Sequence, residues 1–425
     1  MLDTLNLDER DLALLEGEGG EAARLAMRLV VLMARVAEAP RLIDVTRAHI
    51  DGCLYHGPVS LEFAERLVAG GGQASVPTTL NVGSLDLLHP KLYRGEPETA
   101  AAARRLMDAY VEMGCRPTWT CAPYQEAEAR PSRGEHVAWA ESNAIVFANS
   151  VLGARTERYG DFIDICAAIT GRVPDAGLHR DEHRRGEVVF DLAQVPERLL
   201  CEDALYPALG HLVGRQTGTA VPVLSGLPPD ASEDRLKALG AAAASSGSVA
   251  LFHAVGITPE APTLEAALHG RPPRREVSVT GPGLREARDS LSTSPGGRIG
   301  AVSVGTPHAS LEELEKLAKE LDGAGGPPAV PLYVSTSREI LAEAERRGSI
   351  GPIEAAGAIV VTDTCTYVTP IIGEVRGPVM TNSAKWAYYA PGNLGIEVVF
   401  GSLTECVRSA VAGEARRDDA LWADD

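Results

Sequence analysis

No CxxC pair, no long basic run and no uninterrupted apolar window of the ~18 residues a membrane helix needs occurs among the 425 residues. Each absence removes a class of function. Without paired cysteines there is neither a zinc ribbon nor a thioredoxin-type redox motif. The formal net charge of −18 repels a phosphate backbone, so nucleic acid is not an expected partner. Even the greasiest helical stretch, LAMRLVVLMARVAEA, carries Arg28 and Arg35, so no membrane partner is expected. The acidic opening MLDTLNLDERDLALLEGEGG has no basic n-region and no apolar h-region, and a cytoplasmic location is the expectation. Also absent are a G-x-S-x-G elbow, an HExxH pair, a GK[ST] after the glycines 70–72 and a G-x-G-x-x-G after a strand. The common hydrolase, zincin, P-loop and Rossmann readings fall with them.

What remains is the length for two or three packed units. Seven cysteines are scattered at positions 53, 115, 121, 166, 201, 365 and 406, an odd set that does not read as a disulfide framework. Cys166 and Cys406 lie in helical contexts and read as small core hydrophobes.

From about residue 220 the sequence alternates. VPVLSGLPP, VALFHAVGITPE, GAVSVGTPH, PLYVSTS and AIVVTDTCTYV are short β-branched runs, and amphipathic stretches such as SLEELEKLAKEL and REILAEAERRG separate them. Buried strands alternating with helices predict α/β layers built on mainly parallel sheets. The expected divisions are 1–212, a βαβ region over 213–297 and a second over 298–425. In such folds chemistry gathers at the carboxyl ends of the strands. Attention therefore falls on TTLN (78–81), SVGTPHAS (303–310), VSTS (334–337) and TDTCT (362–366).

Three segments there carry reactive groups. Cys121 precedes a Pro123 turn, Cys365 ends a strand between two threonines, and Lys385 lies in a loop rich in amides and hydroxyls. Thiolates bind soft metals, and an ammonium clamps a carboxylate as a point charge. Taken singly these signals are weak, since a lone strand-end Cys is usually core and a loop Lys usually solvated. His49, His56 and His308 have an equally plain reading as imidazoles satisfied by backbone, although His308 stands at a strand-to-helix turn with Ser310 as the expected N-cap.

Together the segments point further. GEHVAWAESNAIVFANSVLGARTERYGDFIDICAAITGRVPDAGLH (134–179), VPTTLNVGSLDL (76–87), PTWTCAPYQ (117–125) and TNSAKWAYYAPGN (381–393) resemble the aconitase X family, in the same order and over almost the whole chain. The resemblance implies an aconitase-like large-subunit fold of three-layer α/β domains. It implies a hydro-lyase, with bacterial-type members dehydrating cis-3-hydroxy-L-proline to Δ1-pyrroline-2-carboxylate and an archaeal-type branch acting on mevalonate 5-phosphate. It also implies a separate small swivelling-domain subunit as partner, and a small hydroxy acid as substrate.

Cys121 and Cys365 match positions expected to bind the iron centre. Some members carry Cys where this chain has Thr306, which leaves Cys53, and after it Cys115, as the candidate third ligand. The resemblance thus implies an iron–sulfur cluster of the two-iron kind or a mononuclear iron. Lys385, Asn382 and Ser383, with Thr79 and Asn81, are the expected carboxylate anchors, and Tyr124, Ser142 and Asn143 further substrate contacts. The base comes from the swivelling domain in aconitase relatives, with Glu141, His49 and His308 as candidates within this chain. The reading from another class is a non-catalytic ligand- or partner-binding subunit.

Overall fold

The computed structural model describes residues 5–422. Two units make up the chain, Met1–Leu85 with Glu96–Arg185, and Asp86–Gly95 with Gly186–Asp425.

In the first unit the strands are short: β1 (Leu42–Asp44), β2 (Ala48–Ile50), β3 (Thr78–Leu80), β4 (Ala138–Trp139) and β5 (Arg172–Pro174). β3, β2 and β4 form a parallel sheet in that order, while β1 and β5 pair antiparallel. Every residue of β2, β3 and β4 is buried, because helices cover the parallel strands. Helix Gly20–Val36 shows why its sequence packs as it does. Ala22, Ala26, Met27, Val30, Val31 and Ala34 share one buried stripe, and Arg28 and Arg35 stay exposed. Helix Ile163–Thr170, which it packs against, is buried on all sides, so Cys166 is a core residue as expected. A fan of charge ties the N-terminal helix down. Arg172 reaches Asp11 at 2.8 Å, Asp8 at 2.8 Å and Asp44 at 3.0 Å.

The second unit holds two parallel sheets. Strands β6 (Val188–Gln194), β7 (Pro222–Ser225), β8 (His253–Ala254) and β9 (Arg275–Thr280) lie in the order β8-β7-β6-β9. Strands β10 (Ala301–Ala309), β11 (Leu332–Thr336), β12 (Ile359–Val361), β13 (Val379–Thr381) and β14 (Val398–Phe400) lie in the order β12-β11-β10-β13-β14. The larger sheet has a core of Val302, Val304, Leu332, Val334, Met380 and Val399 packed on Leu314, Leu317 and Leu341 of the crossover helices.

A repeated local device sets where the polar edge of that sheet falls. Ser310, Ser337, Ser383 and Ser402 each follow a strand of this sheet, and each side chain accepts the backbone N–H three residues on. Such a cap contributes about 1 kcal/mol and fixes the turn at which strand becomes helix. Ser310 and Ser402 complete reciprocal capping boxes with Glu313 and Glu405. The carboxyl ends of the strands and the helix N-termini are thereby gathered along one edge, as the alternating sequence predicts.

Candidate metal and substrate site

At that edge of the second unit, β10 carries Gly305 at φ +82°, where an added Cβ would lie 2.3 Å from the Ser335 carbonyl oxygen. Only glycine fits, because any side chain would meet rigid backbone of the neighbouring strand. The close approach lets the strand run on through Thr306 to His308, which is wholly buried. The His308 Nε2–H donates to the Thr364 carbonyl at 3.1 Å. In the neutral ring that bond leaves the lone pair on Nδ1, the arrangement found in metal-binding histidines whose other nitrogen is held by a backbone carbonyl. A ring nitrogen of His308 and the Cys365 thiol lie within 4.8 Å of one another.

Cys365 is also wholly buried, on the loop after β12. The hydroxyls beside it hold the loop in shape. Thr364 bonds Thr369 at 2.6 Å, Thr366 bonds Ser303 at 2.7 Å, and the Trp386 indole N–H donates to Thr366 at 2.9 Å. The donor set, an imidazole with a buried thiol, suits iron or zinc better than a hard cation.

The turn after β13 supplies the second feature. Asn382, Ser383 and Lys385 line a cavity of about 280 Å³ together with Gly305 and Thr306. Ser383 is committed to capping, accepting the Trp386 N–H at 3.1 Å. Lys385, in the first helical turn, is buried on the cavity wall and suited to a carboxylate. Thr306 Oγ1 and Ser335 Oγ are buried hydroxyls that no described residue satisfies. A buried hydroxyl left so costs stability unless a water or ligand meets it. Arg235, Lys237 and Lys316 on the cavity's far wall are paired: Lys237 with Asp234 and Glu313, Arg235 with Asp203, and Lys316 with Asp203 and Glu312.

In the first unit the carboxyl ends of β2, β3 and β4 hold the other candidates. His49 is fully buried, with Nδ1 2.7 Å from the Thr79 hydroxyl. Burial pushes its pKa down to about 3, so it is neutral. Asn81 donates its amide N–H to Asp51, and its own Oδ1 has no partner among the described residues. Asp51 is a residue to which the sequence motifs drew no attention. Burial, then the charges of Glu141 and Asp161, raise its pKa to about 8. Its place directly after the strand AHI is the available signal, the same one that marks Asn81 after TTL. Glu141 caps helix Ser142–Phe147, accepting the Ala144 N–H at 2.7 Å and the Ser142 hydroxyl at 3.3 Å.

Tyr124 and Asn143, expected as substrate contacts, buttress the Cys121 turn. The Asn143 amide donates to the Cys121 carbonyl at 2.8 Å, the Tyr124 hydroxyl donates to Asn143 at 3.1 Å, and the Tyr124 ring stacks on Phe147. Cys121 itself is buried. The Cys53 thiol faces the carbonyls of Ile50, Asn81 and Val82, and burial, with the nearby charges of Asp51 and Asp164, pushes its pKa well up. Cys115 is likewise driven up, to about 12, by burial. Within the second unit, His308 and Cys365 are the buried pair suited to a metal.

Known proteins match along nearly the whole chain. Family models described as aconitase X first, second and third domain match residues 4–182, 186–289 and 299–412. A cis-3-hydroxy-L-proline dehydratase of Pseudomonas aeruginosa is 45% identical, the match covering 98% of this chain and 72% of the relative. A protein of the same name from Hypocrea jecorina is 43% identical over 96% of this chain and 69% of the relative. A phosphomevalonate dehydratase large subunit of Methanothermobacter thermautotrophicus is 38% identical over 95% of this chain and 98% of the relative. The crystal structure of Thermococcus kodakaraensis aconitase X in its holo-form superposes with a TM-score of 0.86 at 34% identity, covering 95% of this chain and 100% of that one.

Proposed function

The chain belongs to the aconitase X family and is a hydro-lyase of that type, and from that premise we propose that its substrate is cis-3-hydroxy-L-proline. The product is then the enamine that tautomerises to Δ1-pyrroline-2-carboxylate. The observation that carries this choice is the charge of the cavity beside Lys385. Arg235, Lys237 and Lys316 in its wall are each matched to carboxylates, so these three cations are already spent and do not make a cluster for a phosphate. The greater identity to the two hydroxyproline dehydratases supports the same choice over mevalonate 5-phosphate.

Cys365 and His308 are the proposed ligands of an iron centre, either a two-iron two-sulfur cluster or a mononuclear iron, and Cys121 stays a candidate on its sequence match to the family. His308 takes the place in the ligand set for which Cys53 and Cys115 are the candidates from sequence. Bound there, iron supplies Lewis acidity to the departing hydroxyl. The remaining work falls to the chain's own side chains. Lys385 holds the substrate carboxylate, Asn382 and Thr306 contribute polar contacts, and the Thr364 carbonyl keeps the His308 ring in one tautomer. His49, neutral and with a pKa near 3, is too weak a base to take the α-proton, and Glu141 is occupied at a helix cap. The base is assigned to a small complementing unit, as the family resemblance implies and in keeping with the "large subunit" names of the archaeal relatives.

Iron and acid-labile sulfide per chain, followed by turnover assays on both substrates, test the proposal. Dehydration of cis-3-hydroxy-L-proline by the iron-loaded protein with its small unit is the expected result. Turnover of mevalonate 5-phosphate alone would transfer the chain to the other branch, and a preparation that holds no iron would end the metal assignment.

A further inference from the structure

We infer that the segment Asp86–Gly95 is a positioning clamp for the Cys365 loop, holding both ends of it so that the thiol and His308 are preset for metal; this rests on the ligand roles proposed above. The segment is set within first-unit sequence, yet it belongs to the second unit. It grips the loop after β12 at two places. At the near end the buried Asp86 carboxylate accepts the Thr362 N–H at 2.8 Å and the Thr362 hydroxyl at 2.9 Å. The same carboxylate accepts the N–H groups of Leu88 at 3.0 Å and His89 at 2.7 Å, and meets His89 Nδ1 at 3.0 Å.

The grip is returned from the loop. Asp363, wholly buried and at φ +61°, accepts the Leu87 N–H at 3.0 Å and is paired with Arg338, whose Nη2 lies 2.8 Å away. A non-glycine residue in left-handed backbone is uncommon and persists where its surroundings over-determine it. At the far end the Arg94 N–H donates to the Pro370 carbonyl at 2.8 Å, and the Arg94 Nε–H donates to the Ile371 carbonyl at 2.9 Å. Cys365 lies between these two anchors.

The consequence is chemical as well as geometric. The clamped loop presents the Thr364 carbonyl that fixes the His308 tautomer, so one segment sets both the imidazole and the thiol. The Asp86 carboxylate is spent on backbone, Thr362 and His89, and the Asp363 carboxylate on the Leu87 N–H and Arg338, which identifies both as positioning residues with no direct part in proton transfer. Support of this kind is worth ~10–100-fold in metal affinity at metal sites generally.

Two mild variants, Thr362→Val and Arg94→Met, loosen one end each, and Thr362→Ser restores the hydroxyl. The readouts are the alkylation rate of Cys365 in the folded apo chain, followed by mass spectrometry, and the iron dissociation constant by chelator competition. Thr362→Val and Arg94→Met are expected to raise the Cys365 rate at least ~10-fold and weaken iron binding ~10–100-fold, with Thr362→Ser close to wild type. Cys406, buried in helix Leu403–Ala412, is the internal control and should keep its rate. Equal acceleration at Cys406 would mean general loosening and would overturn the inference. So would Cys365 rates and iron affinities within about twofold of wild type in both variants. Cys365→Ser is measured beside them: iron retained in full there overturns the ligand assignment, while iron lost there with unchanged affinity in the two clamp variants overturns the clamp alone.

Discussion

Lys237 offers a direct test of how the second unit is held together. Its side chain is 2% exposed, with Nζ 2.9 Å from Asp234 and paired with Glu313. Asp234 also accepts the Ser310 hydroxyl at 2.6 Å, and Glu313 accepts the Ser310 N–H at 2.9 Å. One ammonium thus joins helix Glu233–Gly247 to the capped start of helix Leu311–Asp322. Burial opposes the charge, yet Glu313 and then Asp234 hold the lysine's pKa above its ordinary value. A raised lysine pKa stabilises the fold fully below the unfolded value, near 10.5, and the contribution fades only at higher pH. At neutral pH the pair is therefore always present. Lys237→Met keeps most of the apolar stem but leaves two carboxylates facing each other in a half-dry pocket. Breaking a buried pair in this way costs about 3–5 kcal/mol, a large share of the ~5–15 kcal/mol that holds a typical domain. Urea unfolding at pH 7 measures it as a lower midpoint with little change in slope. Adding Asp234→Asn and Glu313→Gln removes the stranded charge and should recover most of the loss. A single-variant cost under about 1 kcal/mol, the level of an exposed pair, would refute the argument. A triple variant no better than the single would refute it as well.

The remaining predictions follow from other contacts. Lys385→Ala should lower kcat/KM by ~10²-fold or more through lost positioning of the carboxylate, and steady-state kinetics near wild type would remove Lys385 from the site. Gly305→Ala should destabilise the chain by about 2 kcal/mol or more, because its Cβ would sit 2.3 Å from the Ser335 carbonyl oxygen at a backbone angle few side chains adopt; an unchanged melting temperature would show that β10 and β11 can part at no cost. Burial, then His136 and the cations Arg184 and Arg155, lower the His179 pKa to about 3 against an ordinary 6.5. Its neutral form is the native one, so its contribution is complete above pH 6.5 and is lost as pH falls toward 3, by about 1.4 kcal/mol per unit. His179→Gln should flatten the acid side of the stability profile by that slope, and parallel profiles would contradict it.

The parts of this fold that can be read from sequence are those written locally. The β-branched runs, the serine that follows each of four strands, and the alternation of buried and exposed residues along Gly20–Val36 act within a few residues, so the parallel sheets and the polar strand ends are visible in advance. Cys365 and Lys385 are visible for the same reason, because a strand-end position needs only the strand to be found. The pairing of His308 with the Thr364 carbonyl is not visible, since 56 residues separate them and the order of β10, β11 and β12 decides the contact. Asp51 is further out of reach. Its raised pKa depends on burial and on Glu141 and Asp161, carboxylates from distant stretches of the same unit, and nothing beside Asp51 in sequence reports them. Tyr124 and Asn143 show a second role that the sequence hides. An aromatic hydroxyl and an amide beside a reactive cysteine look like substrate contacts, and the fold spends them on holding the Cys121 turn. Asp86 shows why such roles share a cause. It lies inside VPTTLNVGSLDL, a stretch conspicuous enough to carry a family resemblance, yet as a bare letter it reads like any surface aspartate. Aspartate is almost never fully buried without partners, and the donors on Thr362 that explain its burial lie 276 residues further along the chain. A side chain whose role is to hold backbone has no composition or spacing of its own, because its partners are peptide groups that every residue possesses. The reactive groups of this site are therefore legible as types, and the groups that aim them become legible only when the chain is folded.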